Sequence, residues 1–335
     1  MTEPRTEIRI ALPSKGRLAE ESLDLLARSG LGIYKPNPRQ YKASIPSLPG
    51  LTVLFQRPGD IVVSVREGSV DFGITGWDVF KEQSTREKDT LALLPELGLG
   101  ACTLNVIVPE TWEAVHGMAD LVSVQNKLDR PLRVATKFPN LTQVFFDSHS
   151  IHGVELISAE GTLEIAPTIG YADLIVDLVS TGTTLRDNRL KMVDDGLILR
   201  SQACLIANRP ALKSRPEVMA IARQLLEFIV AYLRAAENVS IFVNIRGESP
   251  QSIAASMFEQ QVIGGLQGPT ISQVVTRNRD QSWYAVNLIV RKDKLAQAIT
   301  ELRRVGGSGV VVTPVTYIFE EEPPAYQEML AALEA

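Results

Sequence analysis

At 335 residues the chain exceeds one typical core, so it is expected to divide into two or three compact units with room for a cleft. Hydrophobic residues at 45%, charged residues at 22% and a net charge of -5 exclude a disordered or membrane-embedded chain and argue against broad electrostatic binding to nucleic acid, leaving only a local basic pocket for a small phosphorylated ligand. Cys102 and Cys204, the only cysteines, have no C-x-x-C spacing, which supports neither a disulfide framework nor a zinc site and points to a reduced, cytoplasmic setting.

The opening MTEPRTEIRIALPSKGR places charges close to a short apolar run and has no signal-peptide core. From there IRIAL, LAEESLDLLARSG, TVLF, DIVVSVREG, DFGIT and LRVAT alternate short β-branched runs with helical stretches, the pattern of an α/β layered fold. PSKGR between the first strand and the first helix puts Lys15, Gly16 and Arg17 on a strand-to-helix loop, and in open α/β sheets such loops line the ligand crevice. GSVDFGITGWD at 68–78 and GYADLIVDLVSTGTT at 170–184 share G-x-x-D, a β-branched run and a Thr-Gly exit, which fits paired lobes facing a cleft. ATKFPNLTQVFFDSHSI opens a helix of the second lobe, and KMVDDGLILRSQACLIANR returns as extended strands. The expected boundaries are lobe I at 1–103 with return strands at about 190–215, lobe II at 104–189, and a connecting helix at 216–238. That helix contains Arg223, Glu227 and Arg234, too many charges for a membrane span. Residues 239–335 form the last unit, in which VSIFVNI, SPQSIAASMFEQ, PTISQVV, WYAVNLIV, KLAQAITELRRVG and GVVVTPVTYIF follow a β-α-β-β-α-β order, a ferredoxin-like module. The tail EEEPPAYQEMLAALEA ends as a short amphipathic helix.

ADLIVDLV carries two acids, Asp173 and Asp177, in an apolar run. As a helix it would stack them one turn apart as like charges. As a strand it puts Asp173, Ile175, Asp177 and Val179 on one face and Ala172, Leu174, Val176 and Leu178 on the other, and the β-branched content favours the strand. Asp177 then stands near the strand's carboxyl end, and STGTTLRDN forms a turn in which Gly182 permits unusual backbone angles before a helix begins. Exposed amides and the hydroxyls of Ser180, Thr181, Thr183 and Thr184 make an anion cradle there, while the preceding carboxylate suits two adjacent hydroxyls. A sugar carrying a 5-phosphate presents both groups; a plain capped turn with solvated acids is the competing reading. No GxxxxGK[ST] or GxGxxG loop follows a strand, so a nucleotide P-loop or a dinucleotide fold has no support.

EIAPTIGYADLIVDLVSTGTTLRDN, with IRIALPSKGRLAEESLDLL before it and RPGDIVVSVREGSVDFGITGWD between, resembles the ATP phosphoribosyltransferase family over nearly the whole chain. The resemblance implies an α/β fold: a two-lobed catalytic region of periplasmic-binding-protein architecture, followed by a ferredoxin-like βαββαβ regulatory domain as in the family's long form. It implies transfer of the phosphoribosyl group from phosphoribosyl pyrophosphate to N1 of ATP, the first step of histidine biosynthesis, with Mg2+ held mainly by substrate phosphates and no metal residues assigned. It also implies feedback inhibition by histidine and a homo-oligomer, a hexamer with a dimer form. Ser180, Thr181, Gly182, Thr183 and Thr184 would bind the 5-phosphate beside Asp177, and Lys15, Arg57 and Asp177 would be catalytic. Lys15, Gly16, Arg17, Arg57, Gly73, Thr75, Gly76, Glu164 and Asp173 would meet ATP or pyrophosphate, with Glu164 and Asp173 favoured in a supporting role. GGLQGPTIS points to Leu266 and Thr270 as histidine contacts, while TWEAVHGMADLVSVQNKLDR is longer than the family pattern. His116, His149 and His152 fall outside every motif and carry no assigned chemistry. The rivals are a non-catalytic two-lobed solute receptor and a phosphoribosyltransferase with a nucleobase acceptor.

Overall fold

The computed structural model describes residues 5–37, 40–83, 89–158, 161, 163–276 and 282–334. In chain order the first elements are β1 (Ile8–Pro13), α1 (Arg17–Arg28), β2 (Lys42–Ser44), β3 (Leu51–Gln56), α2 (Pro58–Arg66), β4 (Phe72–Gly76), α3 (Trp77–Gln83) and β5 (Thr90–Leu94). Next come β6 (Cys102–Pro109), α4 (Met118–Gln125), β7 (Arg133–Thr136), α5 (Pro139–Ser148), β8 (Glu155–Ser158), β9 (Leu174–Val179) and α6 (Thr183–Asp187). The chain continues through β10 (Leu190–Ser201), β11 (Ala203–Asn208), α7 (Arg209–Ser214), α8 (Pro216–Ala236), β12 (Asn238–Arg246), α9 (Pro250–Phe258), β13 (Thr270–Val274), β14 (Trp283–Arg291), α10 (Leu295–Arg304), β15 (Gly307–Pro314) and α11 (Pro324–Glu334). They divide into two units, Met1–Leu226 with Pro324–Ala335, and Glu227–Pro323.

The first unit holds two sheets. Lobe I has the order β2-β3-β1-β4-β11-β5 and lobe II the order β10-β6-β9-β7-β8. The chain passes from lobe I to lobe II between β5 and β6 and returns at the single residue Gln202 between β10 and β11. The two crossings are stitched together: the Trp77 N–H donates to Gln202 O at 2.8 Å, the Ala203 N–H to Leu99 O at 2.8 Å, and the Gly98 N–H to the Gln202 side chain at 2.8 Å. Of the expected return strands, β11 alone joins the lobe I sheet. β10, expected there, pairs with β6 from Leu190↔Pro109 to Ser201↔Cys102 and so belongs to lobe II, while 209–214 is the helix α7.

Local patterns explain the elements. α1 buries Ala19, Ser22, Leu25 and Leu26 along one stripe. DIVVSVREG, rich in β-branched residues, is nonetheless the helix α2: Pro58 presets its first turn, and Ile61, Val62 and Val65 face the lobe I core. β9 is buried on both faces, Leu174 and Val176 packing with α4 and α5, and Ile175 and Val179 with Leu163, Leu185 and Leu190. Met118 and Leu121 of α4 anchor the long 111–130 segment into lobe II, and Asp195 accepts from the Met118 N–H at 2.6 Å.

The second unit is the expected β-α-β-β-α-β module. Its sheet order is β13-β14-β12-β15 with every neighbour antiparallel, around a core that includes Ile241, Val243, Val286, Met257 and Leu302. This unit ends at Pro323, not at the last residue. The helix α11 belongs to the first unit, where Arg209 Nη1 donates to Ala332 O at 2.6 Å and the Arg223 guanidinium lies 5.2 Å from the Tyr326 ring centroid.

Candidate active site

β1, β3 and β4 run parallel in lobe I, as do β7, β8 and β9 in lobe II, so each lobe gathers loops at the carboxyl ends of its strands. In lobe I the register Pro13↔Gln56 and a Ser14 N–H donating to Gln56 O at 2.8 Å bring the exposed Lys15–Arg17 loop beside Arg57. Gly16 holds φ at +79° and precedes α1, whose first residue Arg17 lies 3.4 Å from Glu21. Arg57 is the exposed residue just before α2.

In lobe II, β9 ends at Val179 and the chain turns through Ser180, Thr181 and Gly182, the glycine in left-handed geometry at φ +72° that a side chain would strain. Ser180, Thr181, Thr183 and Thr184 are exposed, and Thr181 Oγ1 lies 3.2 Å from Thr183 Oγ1. α6, which follows, is one short turn. Asp177 sits just before this loop, its Oδ1 accepting from the Leu178 N–H at 2.8 Å. Burial pushes its carboxyl above the ordinary range and the nearby Glu164 charge adds to the rise, against the Leu178 amide and the Lys137 ammonium. Lys137 went unremarked in the sequence. It is exposed and stands one residue beyond Thr136↔Val176, which puts it opposite Asp177 by register, and a lysine directly at a strand exit was the available signal.

A cleft of about 580 Å3 lies where the lobes join, lined in part by Trp77, Glu96, Cys102, Ser180, Arg200 and Ser201. Of its lining, Ser180 alone is a site residue expected from sequence. Behind the wall, Ser201 Oγ donates to Asp78 Oδ1 at 2.5 Å and accepts from the Asp78 N–H at 2.9 Å, and burial pushes the Asp78 carboxyl up. The Cys102 thiol is also pushed up by burial, and it feels the charges of Asp78 and Arg17.

Several expected contacts have other employment. Asp173 stands at the opposite end of β9 from Ser180, roughly 20 Å away at strand rise. Its carboxylate accepts from Arg130 Nη1 and Nη2 at 2.6 and 2.7 Å, from the Arg133 N–H at 2.9 Å and from Arg133 Nη2 at 3.0 Å, all four donors lying within lobe II. Asp71 repeats the arrangement in lobe I: its N–H donates to Arg9 O and its carboxylate accepts from the Arg9 N–H, as Asp173 does with Arg133. Arg5 and Arg215 complete the Asp71 cluster, and the carbonyls of Gly68 and Gly170 each accept from an arginine. The sequence echo is therefore a strand-start staple used once per lobe. Gly73, Thr75 and Gly76 are likewise packing positions. A Cβ on Gly73 would overlap Ile61 Cγ2, one on Gly76 would overlap Asp78 Oδ1, and Thr75 is fully buried with Oγ1 donating to Pro58 O at 3.0 Å. Glu164 lies on a short 3-10 turn at 163–165, half-buried.

His149 and His152 lie near the end of α5, Nδ1 of His149 at 2.9 Å from Phe145 O and Nδ1 of His152 at 3.1 Å from Asp147 Oδ1, and His116 lies before α4. Within the second unit, Leu266 and Thr270 line one cavity of about 290 Å3 together with Asn287, Phe319 and the paired Arg234 and Glu320. Among the described residues no group of three or more His, Cys, Asp or Glu side chains gathers as a metal site, and no helix is long and apolar enough to cross a membrane.

The model of the ATP phosphoribosyltransferase family (HisG) matches residues 57–229, and that of the HisG C-terminal domain matches 235–317. The chain is 41% identical over 335 residues to ATP phosphoribosyltransferase 2, chloroplastic, of Arabidopsis thaliana, covering 98% of this chain and 81% of that one. It is 34% identical over 329 residues to ATP phosphoribosyltransferase of Nitrobacter hamburgensis, covering 97% and 98%. Among solved structures, the ATP phosphoribosyl transferase (HisG:HisZ) complex from Thermotoga maritima has a chain that matches with TM-score 0.51 and 26% identity, over 67% of this chain and 98% of that one. These likenesses define the class: a pentosyl-transferring enzyme built on two α/β lobes. The chain belongs to the ATP phosphoribosyltransferase family.

Proposed function

We propose that the chain joins N1 of ATP to the anomeric carbon of phosphoribosyl pyrophosphate and releases pyrophosphate, the first step of histidine biosynthesis. One observation carries the reading: a half-buried Asp177, whose one hydrogen-bond partner among the described residues is a backbone amide, immediately precedes a loop of exposed hydroxyls. The loop cradles the 5-phosphate, and the free Asp177 oxygen accepts from the ribose diol. The N1 lone pair forms the new bond as the bond between the anomeric carbon and pyrophosphate breaks, its electron pair leaving with pyrophosphate. No enzyme nucleophile is required, so the protein's part is alignment and stabilisation of charge on the leaving group. Lys15 and Arg57, exposed at adjoining strand ends of lobe I, are the cations placed for that charge.

The oxygen donors near the loop, Asp177 and Glu164, suit Mg2+ brought in on substrate phosphates; when bound, the ion neutralises the departing pyrophosphate. In the second unit, histidine fits the cavity bearing Leu266 and Thr270, its carboxylate toward Arg234 and its ammonium toward Glu320. We place the enzyme in the cytoplasm as a homo-oligomer, a hexamer with a dimer form, for which light scattering with and without histidine is the check.

The deciding assay is pyrophosphate release from phosphoribosyl pyrophosphate with ATP, or with free nucleobases, as acceptor. ATP-dependent release that histidine suppresses is expected. Asp177→Asn removes charge-assisted hydrogen bonds of about 1.5–3 kcal/mol, lowering kcat/KM for phosphoribosyl pyrophosphate roughly 10- to 100-fold, and Thr181→Val lowers it in the same direction. Release with a nucleobase alone, or parent kinetics in both variants, refutes the assignment.

A further inference from the structure

The helix α5 begins without a cap of its own. Its N-cap position is Phe138, which makes no side-chain cap and is buried in the lobe II core. The amides of Asn140 and Leu141, second and third in the helix, therefore need an outside acceptor. One side chain from the other lobe takes both. Glu82, in the last turn of α3, accepts from the Asn140 N–H through Oε1 at 2.8 Å and from the Leu141 N–H through Oε2 at 3.0 Å, and its carbonyl accepts from Asn140 Nδ2 at 3.2 Å. Glu82 is 8% exposed, and burial pushes its carboxyl up. A carboxylate buried for two amides is a costly cap when a local Ser or Asp would serve, so the contact has a further purpose than ending a helix.

The purpose lies immediately upstream. Lys137 precedes the cap position, and the turn between β7 and α5 is stiffened by the buried Phe138 N–H donating to Thr136 Oγ1 at 2.9 Å. Where α5 starts thus dictates where Lys137 stands, and Lys137 is the cation felt at Asp177. We infer that Glu82 is a positioning residue: it caps α5 from lobe I and thereby sets Lys137 against Asp177, tying the relative placement of the lobes to the sugar-phosphate loop. The inference rests on the reading of that loop given under the proposed function.

The test is a double-mutant cycle on the full chain with Glu82→Ala, Glu82→Gln, Lys137→Met and the paired Glu82→Ala/Lys137→Met, together with amide hydrogen exchange on the ligand-free protein. Glu82→Ala raises KM for phosphoribosyl pyrophosphate roughly 3- to 30-fold, the range of a lost cap, with KM for ATP little changed. Glu82→Gln, equal in length with one acceptor oxygen, falls between it and the parent. In the Lys137→Met background Glu82→Ala adds less than about twofold, because coupled residues are not additive. Exchange across 138–146 accelerates in Glu82→Ala. Additive kinetic losses, or unchanged exchange across that segment, overturn the inference even where parent turnover is normal. Absent parent turnover refutes the proposed function instead, and the exchange result still decides whether Glu82 holds the turn. If Glu82→Ala does not fold, Glu82→Gln decides by the same readouts.

Discussion

Asp173→Asn separates a ligand group from a staple. The carboxylate receives four hydrogen bonds, two from Arg130 and two from Arg133, and its side chain is 10% exposed. An amide keeps one acceptor oxygen and turns an NH2 toward donors. The Arg130 pair is 45% exposed on the arginine side and is screened by solvent, so the loss falls on the Arg133 donors. The half-buried Arg133 backbone and guanidinium donors lose their partner, at about 1–3 kcal/mol. That loss is a fall in Tm on the order of 2–12 °C for a unit of this size. Circular dichroism melts read the stability, and steady-state kinetics at 20 °C below the variant's Tm read KM for both substrates, which should stay within about twofold of the parent. Acid melts add a signed check. Burial opposes the Asp173 charge, but hydrogen bonds from Arg130 and Arg133 outweigh it and hold the carboxyl well below the usual range. A depressed folded pKa contributes stability above the unfolded value near ~3.9 and loses it as pH falls below that toward the folded value. The gap between parent and variant melts should therefore be full at pH 6 and narrow below about pH 4. An unchanged Tm with KM raised tenfold would place Asp173 at a substrate and defeat the staple argument.

Gly73→Ala should destabilise by about 1–3 kcal/mol without touching KM, because its Cβ meets Ile61 Cγ2 and stands 3.2 Å from Val65 Cγ2, forcing α2 off β4; denaturant midpoints measure it, and a neutral result means that α2 shifts freely. Lys137→Met removes the charge that lowers the Asp177 pKa, so the acid limb of kcat/KM for phosphoribosyl pyrophosphate should move to higher pH; an unmoved limb means that Asp177 is not the titrating group. Thr270→Val should weaken inhibition by histidine about tenfold at unchanged kcat, read by inhibitor titration, and an unchanged inhibition constant removes Thr270 from the cavity's ligand.

What could be read from the chain followed local chemistry. The alternation in β9 assigns Leu174 and Val176 to one face and Ile175 and Val179 to the other, though Ala172, just before the strand, packs with Ile175 and not with Leu174, and Gly182 marks the left-handed turn. The order of the second unit was legible because each of its strands and helices keeps its own period. What stayed hidden depends on distant partners. The G-x-x-D echo is visible, but its meaning needs Arg9 and Arg133, 62 and 40 residues away, and the sequence alone, while favouring a supporting role for Asp173, does not name the arginines it would hold. α2 shows propensity overruled by packing, its valines and isoleucine being placed against β4 by a helical period. The long return strand paired with lobe II because register with β6, invisible in a single sequence, decides its sheet. Lys137 and Glu82 escaped for the same reason: one matters through a neighbouring strand, the other through a neighbouring lobe.

The docking of α11 on lobe I gives the second unit an unusual covalent situation, for the polypeptide leaves the first unit at Leu226 and re-enters it at Pro324. The second unit is thus an insert joined to the first at both ends, not a pendant. Two covalent junctions, not one, connect it to the rest of the chain. Surgery must respect this: cutting the chain back from residue 239 would also strip a helix from lobe I, whereas excising 227–323 and closing the gap with a short flexible bridge leaves that helix in place.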